Sequence, residues 1–308
     1  MVNDFIKVLS VLILALPIIN ASEYLSKEAA EEGIGRGCKE SFACSTGFIF
    51  ISDKNGVDVN ANGILLAPHC ILTTKHTLTG RVIPHQASFT TYPDIPGYVK
   101  EIGDEGISPE RRKNLNSFGS SMDLKKIYFH PDENVDLAII HLKYPISNVK
   151  FLPLYLEKPP KLFLGFFVSY APVYALPDTE NLVVKDTRHI AILDVEEVPL
   201  SIQKKEGGDM PPLPFLISKF RLEGDVHDQT NRSLTPTPNM HRLKAFTLPS
   251  DSGAAFIVKV QNQYYIAGVH KGRAVLPEPQ EEANVCSAII PLYPYKDWIL
   301  ATIKRSSK

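Results

Sequence analysis

N-G-I-L-L-A-P-H-C-I-L-T-T-K-H, residues 62–76, is the stretch on which the reading of the fold turns. Ile, Leu, Ala and Cys dominate it while Asn, Gly and Pro punctuate it, so 63–74 reads as buried β-structure that delivers His76 at its far end. Outward from it, similar short runs rich in Ile, Leu and Phe occur at 48–52, 125–130 and 136–142 in the first half of the chain. They recur at 162–174, 189–195, 215–222, 256–260, 264–270 and 288–292 in the second half. Only 294–304 has helical spacing, with Trp298, Ile299 and Ile303 near one another and Lys304 and Arg305 at the C-terminal end. The fold class is therefore all-β with a C-terminal helix, which Trp298 is expected to anchor on the second half.

Two other segments present a polar residue beside an apolar run. V-D-L-A-I-I-H-L-K, 135–143, offers Asp136, and L-P-S-D-S-G-A-A, 248–255, offers Ser252. A serine hydroxyl is a poor nucleophile at neutral pH, so a histidine must accept its proton and a carboxylate must hold the imidazole in the right tautomer. His76, Asp136 and Ser252 are the candidates for those roles. The L-A-I-I that follows Asp136 is expected to bury its carboxylate where the charge is little screened. His69, in an expected turn, His130, in F-H-P, and His141, on the strand of Asp136, read as structural or solvated.

The order His, Asp, Ser is that of chymotrypsin, whereas subtilisins and α/β-hydrolases order the three differently. Residues 62–76 resemble the G-G-S-L-I-S-x-x-W-V-L-T-A-A-H of trypsins without a gap, and their ending is nearer the L-T-N-K-H of glutamyl endopeptidases. Residues 129–145 supply the His-Pro, D-L-A-I and final Pro of the aspartate segment, and 250–255 stands where those families have G-D-S-G-G-P or G-N-S-G-S-P. G-V-H-K-G, 268–272, is similar to the G-I-H-W-G of the glutamyl group. The chain thus resembles the chymotrypsin-like serine proteases, most closely the glutamyl endopeptidases. That resemblance implies two six-stranded antiparallel Greek-key β-barrels with a C-terminal helix. Residues 22–150 would form the first barrel, with His76 and Asp136, and 151–308 the second barrel and the helix, with Ser252. The implied activity is endopeptidase hydrolysis of protein or peptide substrates through an acyl-enzyme, without metal or organic cofactor.

The resemblance also assigns subsidiary roles. The oxyanion hole would use the backbone N–H groups of Ser250 and Ser252, although relatives have a glycine at the first position, where positive φ comes easily. An inactive homologue serving as a secreted binding module is accordingly the alternative. Phe246 replaces the aspartate at the base of the trypsin pocket, so a preference for Lys or Arg is not expected. His270 matches the histidine that binds the substrate glutamate in the glutamyl group, with Thr247, Lys271 and Gly272 as further substrate-binding candidates. An apolar pocket lined by Phe246 is the competing reading. Ile34, in I-G-R-G, and Asp251 form a candidate activation pair, an amino terminus freed before Ile34 meeting the Asp251 carboxylate; the alternative is that a local donor or a basic side chain caps Asp251 and Ile34 is a linker residue.

Composition agrees with an extracellular protein. Residues 1–21 carry Lys7, an apolar core and small residues at the end, the pattern of a signal peptide, so the expected location is secreted, extracellular or periplasmic. No later segment is long enough to span a membrane. The formal charge of −1 predicts no electrostatic affinity for nucleic acid. Cys38, Cys44, Cys70 and Cys286 are not at the trypsin bridge positions, where Ala61, Thr77 and Leu248 stand instead; Cys70 reads as a core residue and a Cys38–Cys44 bridge stays open. Segments 81–121 and 204–244 read as surface loops, the second with a glycosylation sequon at Asn231.

Overall fold

The computed structural model describes residues 39–55, 58–79, 84–103, 106, 108–159, 162–170, 173–175, 182–184, 187–197, 216–219, 251–276 and 284–306. The first half is a closed, six-stranded antiparallel barrel made of β1 (Thr46–Ser52), β2 (Asp58–Ala67), β3 (Cys70–Thr73), β4 (Gln86–Thr90), β5 (Gly119–Phe129) and β6 (Ala138–Leu142), in the order β1-β2-β3-β6-β5-β4. β3 and β6 read as continuous apolar runs because both of their faces are largely buried. Ile49, Leu65, Ile71, Ala138, Ile140 and Leu142 point into the barrel, while their neighbours Ile64, Leu72 and Ile139 point outward into a second core.

Three sequence expectations change here. The run 63–74 is two strands, because Pro68 and His69 form the turn between β2 and β3. Asp136 precedes β6 instead of lying on it, in the stretch that leads from the 131–134 turn into the strand. The expected surface loop 81–121 contributes β4, two helices (Ile95–Gly103 and Pro109–Asn116) and the start of β5. Q-A-S-F-T offers only Ala87 and Phe89 to the interior, too little pattern to read as a strand. Phe89 nevertheless closes the barrel: its ring lies where a Cβ on Gly47 of β1 would fall, 2.2 Å from that position, so the glycine leaves room for the aromatic.

The second half contains β7 (Leu162–Ser169), a hairpin β8–β9 (Val173–Ala175, Leu182–Val184), β10 (His189–Glu197), β11 (Leu216–Lys219), β12 (Ala255–Val260), β13 (Gln263–Leu276) and β14 (Asn284–Pro291). Apart from the hairpin, these strands pair antiparallel as β10-β11-β14-β13-β12-β7, and β7 pairs in turn with β10. Gly165 under the ring of Phe256 repeats the device of Gly47 under Phe89. The outward face of the first barrel, Ile64, Leu72, Leu137 and Ile139, joins Val168, Ile257, Val269 and Ile290 in one shared core, so the two halves meet through apolar surface.

The C-terminal helix (Lys296–Ser306) follows a 3-10 turn at Tyr293–Tyr295. Trp298 does not anchor it on the second half alone. Its indole meets His130 of the first half edge-on at 5.0 Å, and Ser306 at the helix end lies 2.6 Å from the Cys70 thiol of β3. Burial pushes that thiol above its ordinary range, in keeping with a core residue. Among the described residues no helix is long and apolar enough to cross a membrane; residues 1–21 lie outside them.

Candidate active site

Each of the three candidate residues is positioned by a short backbone feature at the rim of the shared core. β3 ends at Thr73 and the chain turns into the short helix His76–Thr79, its start fixed by the Thr74 and Thr77 hydroxyls 2.7 Å apart. The Asp136 backbone carbonyl accepts the Lys75 N–H at 3.3 Å, which pins the aspartate segment beside the histidine segment. Ser252 sits in the tight turn before β12. The Ala254 N–H closes that turn on the Asp251 carbonyl at 2.9 Å, and Gly253 N–H donates to the His270 carbonyl of β13 at 2.9 Å.

These features bring the three side chains into a line. Asp136 Oδ2 lies 2.6 Å from His76 Nδ1, and Asp136 Oδ1 accepts the backbone N–H of His76 at 2.8 Å, so one carboxylate fixes both the ring and its backbone. On the opposite side of the ring, His76 Nε2 is 2.8 Å from Ser252 Oγ. A carboxylate only accepts, so Nδ1 carries the proton and Nε2 presents its lone pair to the serine hydroxyl. The Asp136 side chain is 12% exposed and that of His76 is 46% exposed, so the carboxylate is shielded while the imidazole edge meets solvent. Chemically, the arrangement allows proton transfer from Ser252 to His76 with the resulting imidazolium stabilised by Asp136.

The remaining candidates divide. Phe246, Thr247, Ser250 and Ile34 lie outside the described residues. Asp251 is buried, and its carboxylate accepts a hydrogen bond from the Ser169 hydroxyl at the end of β7. His270 lies on β13 fully buried, its ring edge-on to Phe167 at 5.3 Å and its Nδ1 3.2 Å from the Asp251 carbonyl oxygen. Lys271 and Gly272 follow on the same strand, half-buried, and the Lys271 carbonyl stands 3.4 Å from Ser252 Oγ.

Away from the site, His69 and His141 stack on each other at 5.2 Å, and His130 packs against Tyr295 and Trp298. Burial holds both His130 and His141 below the ordinary imidazole range. Cys44 and Cys70 are free thiols; Cys38 lies outside the described residues. Among the described residues no three His, Cys, Asp or Glu side chains group so as to hold a metal ion. The sequence reading passed over Asn62 and Ser169, which touch the serine loop from β2 and β7. The available signal was a polar residue inside an apolar strand pattern, and taken singly such residues read as turn or edge positions.

No protein-family model matches the chain, and no curated protein matches it significantly.

Proposed function

We propose that the chain is a secreted serine endopeptidase of the chymotrypsin-like type, hydrolysing peptide bonds through an acyl-enzyme on Ser252. The observation that carries this reading is the relay Asp136, His76, Ser252, with separations of 2.6 and 2.8 Å along it. In the first step Ser252 Oγ attacks the substrate carbonyl and its proton passes to His76 Nε2, while Asp136 stabilises the imidazolium. His76 then gives that proton to the leaving amine, and water takes the same route to release the acyl group. The cyclic pairing of the second-half strands supports a second barrel, and the signal-like residues 1–21 support secretion.

An acidic residue before the cleaved bond is the proposed preference, through His270 beside Lys271 and Gly272 behind the serine loop. Nδ1 of His270 faces the Asp251 carbonyl oxygen and carries a proton there, so Nε2 donates to a substrate carboxylate only when it takes up a second proton, and the imidazolium so formed would hold that carboxylate in a charge-assisted hydrogen bond.

The test is a peptide-library digest with a parallel fluorophosphonate labelling of the mature protein and its variants. Wild type is expected to be labelled and to cut after Glu or Asp. Ser252→Ala should do neither, and His76→Ala and Asp136→Ala should each lose at least ~10³-fold in turnover without adding to one another. Cleavage dominated by Leu or Phe, or surviving intact in His270→Ala, would overturn the acidic pocket alone. An inert wild type would overturn the enzyme reading in favour of a secreted binding module.

A further inference from the structure

We infer that Asn62 and Ser169 are positioning residues that brace the Ser252 loop from outside it, an inference that rests on the hydrolase reading above. The brace begins on β2 of the first barrel, where Asn62 is 1% exposed. Its backbone N–H donates to the carbonyl of Ser252 at 2.8 Å, and its own carbonyl accepts the Thr73 hydroxyl at 2.7 Å. The same carbonyl lies 1.9 Å from where a Cβ on Gly253 would fall, so β2 and the serine loop are in direct backbone contact. The Asn62 side-chain oxygen then accepts the N–H of Tyr170 at 3.0 Å.

Tyr170 is the residue after Ser169, and the Ser169 hydroxyl donates to the carboxylate of Asp251, the residue before Ser252. These contacts close a ring that runs from the Ser252 carbonyl to Asn62, on to Tyr170 and Ser169, and back through Asp251 to Ser252. All of its members are buried, and the Tyr170 hydroxyl is itself tied to the Thr46 carbonyl at 3.2 Å. A ring of this kind fixes the loop in two ways. One hydrogen bond holds the peptide that follows the nucleophile, and another holds the side chain that precedes it.

The chemical reason for such a brace is the reach of the relay. Ser252 Oγ must stay 2.8 Å from a histidine carried by the other half of the chain, so a shift of the loop lengthens that hydrogen bond directly. A misplacement of about 1 Å costs ~10²-fold in rate. Asn62→Ala removes the acceptor that Tyr170 N–H uses, and Ser169→Ala removes one hydroxyl from the Asp251 carboxylate. Neither group touches substrate or transfers a proton, so both act through Ser252.

The experiment compares wild type, Asn62→Ala, Ser169→Ala and the double variant by far-UV circular dichroism, kcat and KM on one peptide substrate, the rate of fluorophosphonate modification, and hydrogen exchange of residues 251–254. The expected result is native-like sheet signal in all four. Each single variant should lose ~10- to 100-fold in kcat and in labelling rate, with KM changed less than about three-fold and faster exchange at 251–254. The double variant should fall no more than about three-fold below the weaker single, because both substitutions open the same ring. Wild-type rates in both single variants, losses confined to KM, or losses that multiply in the double variant would overturn the brace. Ser169→Ala, which deletes a single oxygen, carries the test if Asn62→Ala does not fold. If wild type itself is inert to probe and peptide, the hydrolase reading has failed, and exchange alone decides: unchanged protection of 251–254 in the variants overturns the brace, and its loss supports it.

Discussion

Gly253 shows how narrowly the serine loop is specified at the scale of one residue. Its φ of +84° lies in the left-handed region, and a Cβ there would meet the Asn62 carbonyl oxygen at 1.9 Å and the Thr73 hydroxyl at 2.4 Å. The first obstacle is backbone, and the second is a side-chain hydroxyl held in place by its hydrogen bond to that same carbonyl. Gly253→Ala is therefore expected to cost at least about 2 kcal/mol of stability, from positive-φ strain and a forced shift of the loop. Turnover should fall with it by ~10²-fold or more, because the shift moves Ser252 away from His76. Thermal denaturation beside a kinetic assay checks this, and a variant with wild-type stability would mean that the loop relaxes more cheaply than its contacts imply. His76, Asp136 and Ser252, which lie within hydrogen-bond distance along one line, each stand in a short motif legible in the sequence, whereas the demand on Gly253 was not legible there. Asn62 and Ser169 were not legible either, because their role depends on a meeting of β2, β7 and the serine loop that residue spacing does not encode.

At the scale of elements, legibility followed apolar density. Ile64-Leu65-Leu66 and Ala138-Ile139-Ile140 announce strands buried on two faces, and the structure places β2 and β6 there. β4, with one large apolar side chain, was invisible until its neighbours β1 and β5 were in place. The C-terminal helix was read from its spacing, but its docking partner was not, since His130 and Cys70 lie far from it in sequence. That docking carries a pH dependence. Burial beside Tyr295 and Trp298 lowers the His130 pKa, with the Asp132 carboxylate pulling the other way without reversing it. His141 is lowered by burial and then by the charges of Lys126 and His69, with Asp123 and the Ser306 backbone opposing.

For a histidine with a depressed folded-state pKa, the unfolded chain binds more protons as pH falls below about 6.5. The stabilising contribution is thus complete above that pH and is lost as pH falls through the lower folded-state value. Melting temperatures measured from pH 7.5 to 5.5 are expected to fall less steeply in His130→Phe, which retains a ring against Tyr295 and Trp298, than in wild type. Identical slopes would show that the imidazole is not protonated at a cost in the folded protein.

At the scale of the whole molecule, the candidate site and the shared core are consequences of the same seam. His76 and Asp136 hang from the first barrel and Ser252 from the second half, so their alignment depends on how Ile64, Leu72 and Ile139 pack against Val168, Ile257 and Val269. Two independently stable halves would hold a 2.8 Å hydrogen bond poorly, because any slip along the seam would be felt at His76 Nε2. The continuous apolar core instead argues that the halves unfold together. Leu72→Ala, at a fully buried position of that core, is expected to cost about 2–5 kcal/mol. It should leave unfolding as one transition, with circular dichroism of the sheet and fluorescence of the single tryptophan, Trp298, moving at the same denaturant concentration. Two separated transitions, with Trp298 following only one, would show that each half stands alone and that the seam aligns the three residues without stabilising the fold.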